Sequence, residues 1–180
     1  VTPRRYPNGV ELRAAVEVRA AGRRLEGYAS VFDSETRIAE FTEIVRPGAF
    51  AASLKSGRDI LGLADHDYGR LLGRTGSGTL RLAEDRRGLA FDLDLPDTGL
   101  GRDTLALAER GDLGGASFAF RPVEETWSTA RDRRELRSVE LVEISVVSSF
   151  PAYAETSVAA RSRGGPCGEL RRLRLFCETL

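Results

Sequence analysis

The most β-favouring stretch of the chain is residues 136–147, LRSVELVEISVV. Branched and aliphatic side chains at this density fit a pleated, covered surface, so the run is expected to be a central strand or nearly so. It nevertheless carries two carboxylates, Glu140 and Glu143. They lie an odd number of positions apart and cannot share a face of a regular strand, so one of them is expected to be solvated. A carboxylate on an otherwise apolar face needs a compensating partner.

The remainder reads as one β-rich domain. Charged and apolar residues alternate over 10–20 and 23–32 on either side of an Ala21-Gly22 turn, the pattern of a hairpin of half-buried strands. Another strand is expected over 40–45. Arg46-Pro47-Gly48-Ala49-Phe50 then opens a helix, because a proline in the first turn lacks only an N–H that has no intrahelical partner there. That helix is expected to end at Leu54 or Lys55, before Gly57. Residues 59–67, DILGLADHD, read as a buried strand that surfaces at its polar end. Strands over 71–75, 79–83 and 89–95 have the spacing of an antiparallel meander. A helix is expected over 104–110, with Asp97 or Thr98 as N-cap and Gly111 past its end. The strand that begins after Gly114-Gly115 continues through Arg121-Pro122-Val123, and Phe150-Pro151-Ala152-Tyr153 closes the long strand. The expected organisation is an irregular arm over 1–9, a single domain over 10–156 and a flexible tail over 157–180. A chain of 180 residues can bury one good core. The tail joins a linker-like Arg161-Ser162-Arg163-Gly164-Gly165-Pro166 to a basic segment with Leu170, Leu173 and Phe176 at near-helical spacing.

Composition removes several kinds of function. The 27 basic and 27 acidic side chains cancel, leaving no global field to attract nucleic acid or an acidic membrane surface. No apolar run approaches membrane-spanning length and no basic-then-apolar leader opens the chain, so the expected compartment is the cytoplasm. One histidine and two cysteines, Cys167 and Cys177, cannot assemble a zinc site, and no cofactor or metal is expected.

What remains is chemistry that one histidine can run. His66 stands at the polar end of the 59–67 run. Ser117 lies in Leu113-Gly114-Gly115-Ala116-Ser117-Phe118-Ala119-Phe120, where two glycines deliver a serine to the start of a strand. By itself this octapeptide fits an ordinary helix-to-strand connection, since G-x-S-x-G is absent. Paired with His66 it gives the most economical catalytic scheme: serine is a weak nucleophile until a base takes its proton, and the base needs a carboxylate on its other nitrogen. Asp65, Asp67, Glu140 and Glu143 are the candidates for that carboxylate. The two aspartates point away from His66 if the strand continues through them, which favours Glu143, with Glu140 second. Backbone amides near Gly114 and Ser117 are candidates for an oxyanion hole.

Five segments, taken in order, resemble a known family. They are Gly27-Tyr28-Ala29-Ser30-Val31-Phe32; Arg46-Pro47-Gly48-Ala49-Phe50; the His66-Asp67 pair; Gly115-Ala116-Ser117-Phe118-Ala119-Phe120; and Val142-Glu143-Ile144-Ser145-Val146-Val147 followed by Pro151-Ala152-Tyr153. Together they are similar to the tailed-phage prohead (capsid maturation) serine proteases over about 10–156. The resemblance implies an α+β, mainly β fold, with an antiparallel β-barrel-like core and flanking helices like those of the herpesvirus assembly proteases. It also implies a serine endopeptidase that cleaves major capsid protein or scaffold inside an immature shell in the host cell. Ser117 would be the nucleophile, His66 the base and Glu143 the third member. The herpesvirus relatives use a second histidine at that third place and this chain has none, so a Ser-His-Glu triad or a Ser-His dyad remains. Self-cleavage in the tail and a homo-oligomer are further expectations, with no nucleic-acid or membrane partner. The alternatives are a catalytically silent capsid-assembly or scaffolding module on the same fold, and a small β-rich binding domain in which His66 and Ser117 are only structural.

Overall fold

A computed structural model describes residues 5–6, 9–15 and 17–148. The expected close of the long strand at 150–153, both cysteines and the tail lie outside the described residues. Within the expected arm, β1 (Arg5–Tyr6) pairs with β2 (Val10–Ala15).

The 136–147 run is the heart of β12 (Arg133–Val147), which pairs along its length with β11 (Gly115–Trp127). Its other edge is shared by two short parallel strands lying end to end. Residues at its start pair with β6 (Phe41–Val45), and Glu143 to Val146 pair with β7 (Leu61–Ala64). Between those ladders the edge is filled by the turn and helix α1 (Ala51–Lys55) that connect β6 to β7. There Val139 N donates to Ala49 O at 2.9 Å and Leu141 N donates to Ser53 Oγ at 2.9 Å. A buried edge thus keeps its backbone donors satisfied where no strand is available. The start of α1 is fixed by Glu84, whose Oε1 accepts the Phe50 N–H at 2.8 Å.

The large sheet runs β1-β2-β11-β12-β6-β5, with β5 (Thr36–Ile38) at one edge. On the far half of β12, β7 pairs onward with β8 (Asp67–Arg74). The second sheet has the order β3-β4-β10-β9: β3 (Glu17–Ala21), β4 (Arg24–Val31), β10 (Gly88–Asp94) and β9 (Leu80–Glu84). Its β3–β4 hairpin turns at Gly22, as expected, with φ 64°. Helix α2 (Gly99–Arg110) is capped by Thr98, which accepts from Gly101 N, and ends at Gly111 in the left-handed region. The core between the sheets holds Leu25, Leu89, Leu93, Leu136 and Ile144. Through it runs an aromatic series: Phe32 on Phe50 at 6.2 Å, Phe50 edge-on to Phe118 at 5.4 Å, and Phe118 stacked on Phe120 at 5.2 Å.

Three expectations are corrected. The barrel-like antiparallel core does not form. The molecule has two separate open sheets, and the ladders of β12 with β6 and β7 are parallel. Closure requires the outermost strands to pair. Among the described residues β1 pairs only with β2, β5 only with β6 and β8 only with β7. Two half-length strands on one edge of β12 make the sheet branch instead of wrap. The alternating run over 10–20 is not one strand: β2 lies on β11, whereas β3 pairs with β4 in the other sheet. The meander also breaks, because β8 belongs to the large sheet while β9 and β10 pair in the small one.

Candidate active site

Register assembles the site. In the β11–β12 ladder Ser117 is directly opposite Ser145 and Ala119 is opposite Glu143. Glu143 and Ser145, two apart, share a face of β12. On the other edge of β12, the β7 ladder pairs Val146 with Ala64, so the chain leaves β7 beside these residues. Ala64 and Asp67 then pair across a two-residue turn. Its central residues Asp65 and His66 both have positive φ, 54° and 60°. Such tight hairpin turns want positive φ at both centres, for which Asp and His are better suited than branched residues. The expectation of a strand running on through His66 is therefore replaced by a turn, which aims the ring back over β12.

The ring meets both predicted partners. His66 Nε2 is 2.8 Å from Ser117 Oγ and Nδ1 is 2.6 Å from Glu143 Oε1. Glu143 is 1% exposed and Ser117 3%, while the His66 side chain keeps 14% of its surface in solvent. The buried carboxylate requires the proton on Nδ1, which leaves the Nε2 lone pair facing the serine. Ser117 Oγ also donates to the Arg13 carbonyl at 2.8 Å. One hydroxyl proton therefore has two acceptors, and its transfer toward Nε2 is a switch between hydrogen bonds already in place.

The other candidate carboxylates are occupied elsewhere. Asp65 Oδ2 accepts from Arg70 at 2.5 Å, and Oδ1 accepts the Ser148 N–H at 2.7 Å. Asp67 accepts from Gly69 N at the start of β8. Glu140, across a β-bulge from Glu143, faces outward to Arg58 and to Arg121, 3.0 Å away. The bulge shifts the alternation, so Glu140, opposite Arg121, and Glu143, opposite Ala119, lie on the same side of the sheet, and the expected separation by face is replaced by one along the strand, from a buried Glu143 to a half-exposed Glu140. Of the amides considered for an oxyanion hole, Gly114 N already donates to Val147 O at 2.7 Å, and Ser117 is laddered on both sides.

Sequence reasoning missed Ser145. Its Oγ donates to Glu143 Oε2 at 2.6 Å and accepts the His66 backbone N–H at 3.1 Å. The period-two rule puts it on the face of Glu143, which was the available signal. Among the described residues no group of three or more His, Cys, Asp and Glu could hold a metal ion.

A serine, a histidine and a buried carboxylate in unbroken hydrogen-bond contact have the arrangement needed for acyl transfer from an amide. Comparison with known proteins agrees with that chemistry: a family model described as Caudovirus prohead serine protease matches residues 10–166. No curated protein and no solved structure matches the chain. The chain belongs to the caudovirus prohead serine protease family, peptidases that act on capsid or scaffold protein inside the assembling prohead during head maturation.

Proposed function

We propose that Ser117 is the nucleophile of this peptidase, His66 its general base and Glu143 the carboxylate that orients and charges the base. The observation that carries the proposal is the continuous relay from Ser117 Oγ through both ring nitrogens to Glu143, with contacts of 2.8 and 2.6 Å. In the first step Nε2 takes the Oγ proton as Oγ attacks the scissile carbonyl. Glu143 stabilises the imidazolium across the Nδ1 bond. The imidazolium then protonates the leaving amine, the peptide bond breaks and an acyl-serine remains. Water, deprotonated by the same nitrogen, hydrolyses the ester and frees Ser117. A buried glutamate supports a triad over a dyad, because among the described residues that carboxylate has no other cation within hydrogen-bond contact. The same reading puts the reaction in the host cytoplasm within the growing shell. It includes self-cleavage in the tail, a reading supported by the linker composition of residues 161–166. A fluorophosphonate probe tests the assignment. Mass spectrometry is expected to find the adduct on Ser117 and to lose it in His66→Ala. A chain that processes capsid protein but carries no adduct on Ser117 overturns the proposal.

A further inference from the structure

We propose that Ser145 is a positioning residue of the active site, and that its single hydroxyl sets the base and the orienting carboxylate in register with each other. The inference rests on the triad reading above. Ser145 is 1% exposed, lies directly opposite Ser117 in the β11–β12 ladder and does not contact Ser117 Oγ through any hydrogen bond found among the described residues. Its influence must therefore pass through other groups.

Two such groups are at hand. The Oγ proton goes to Glu143 Oε2 at 2.6 Å, and the oxygen accepts the backbone N–H of His66 at 3.1 Å. The first bond occupies the carboxylate oxygen that His66 does not use. The terminal torsion of a glutamate is soft, and a carboxylate held at only one oxygen can swing about it. With Ser145 on Oε2, Oε1 is held toward Nδ1. The second bond acts on the backbone. His66 sits at φ 60° in the β7–β8 turn, and its N–H is not part of the ladder, in which Asp65 N already takes Val146 O at 2.9 Å. Ser145 supplies the acceptor that this N–H would otherwise lack. One side chain thus fixes the ring's partner and the strained backbone that carries the ring, and a hydroxyl is the smallest group that both donates and accepts.

The chain contains a single histidine, so its imidazole signals can be read without assignment. In the wild type the Hδ1 proton in the 2.6 Å contact with Glu143 is expected far downfield in the proton spectrum. Three measurements on the full chain then test the proposal: that resonance, the kinact and KI for a fluorophosphonate on Ser117, and the unfolding midpoint. For Ser145→Ala we expect the Hδ1 signal to broaden or move upfield. We expect kinact to fall on the order of tenfold, the loss of one hydrogen bond to a charged group, with KI unchanged. Ser145→Thr, which keeps the hydroxyl, should restore both the signal and kinact. A Ser145→Ala chain that unfolds earlier but keeps the wild-type resonance and kinact overturns the positioning role and leaves Ser145 as packing. Absence of the Ser117 adduct from the wild type overturns the triad reading instead, and the two failures are therefore distinct.

Discussion

His66 occupies a backbone conformation that costs a non-glycine residue on the order of 1 kcal/mol or more, and it is held there by its neighbours. Asp65 is one of the clamps. Burial by itself would raise its carboxyl, but the Ser148 N–H and the Arg70 guanidinium outweigh that and hold it below the usual carboxylate range. A carboxylate depressed in the folded state contributes stability that is fully present above its unfolded value. That contribution is lost as pH falls through the folded value. Asp65→Asn should therefore be less stable than the wild type at pH 7, by on the order of 1 kcal/mol after allowance for solvent screening. The gap should close on acidification, and thermal unfolding followed from pH 7 down to pH 3 would read it. Glu143 makes a sharper prediction. In Glu143→Gln the Ser145 hydroxyl still requires an oxygen at its end of the group, which turns the amide NH2 toward Nδ1. The ring proton then moves to Nε2, the wrong tautomer for accepting from Ser117. Cleavage of capsid protein should fall about 10³–10⁴-fold with folding intact, whereas a dyad that does not need the carboxylate would lose little.

Helix α2 shows how far local chemistry carries a prediction and where it stops. Its cap at Thr98 and its end at Gly111 are legible because capping is decided within a few residues. Inside it, Gly101 looks like a weak point that alanine would improve by about 1 kcal/mol. Yet a Cβ there would lie 2.0 Å from the Pro96 carbonyl oxygen. Gly101→Ala is therefore expected to destabilise the fold by about 1–3 kcal/mol, measured as a drop in the denaturant midpoint. The same limit explains the strands. β12 and the β3–β4 turn were readable from local pattern, whereas Pro47 to Phe50 form a turn ahead of α1, whose N-cap is Phe50, so the helix opens later than the proline suggests. The break between β2 and β3 was not readable, because alternation continues across it and only the covering sheet decides to which half each residue belongs. The β7–β8 turn was read as a strand end, since Asp65 and His66 stand where Asn-Gly would have announced a hairpin. Ser117 and His66 were legible because a single histidine leaves few schemes, and Glu143 because a buried carboxylate needs a partner. Ser145 shares the face of Glu143 by the period-two rule, but its bond to the His66 backbone needed the register, a pairing between segments far apart in the chain.

The two sheets are held as one body by the aromatic series in the core, while a buried ionic cluster ties the strands around Ser117. Arg13 Nε donates to Glu43 Oε1 at 2.5 Å and Arg13 Nη2 to Glu11 Oε2 at 2.7 Å. Arg134 closes the ring with 2.6 Å to Glu11 and 3.0 Å to Glu43. All four side chains are 7% exposed or less. Such a cluster adds little net stability relative to apolar packing, but removing one member strands a buried charge. Its geometric effect is to pin β2 to β6 and β12, which fixes the Arg13 carbonyl against Ser117 Oγ. The scaffold thus delivers three residues from distant segments to one relay, and the account stands on those residues acting as a unit. The direct test is the cleavage of co-expressed capsid protein by Ser117→Ala, His66→Ala and the double variant, followed by mass spectrometry. The account predicts that each single change abolishes processing and that the double is no worse, since either removes the same proton transfer. Processing at the wild-type rate in either folded single variant would contradict it.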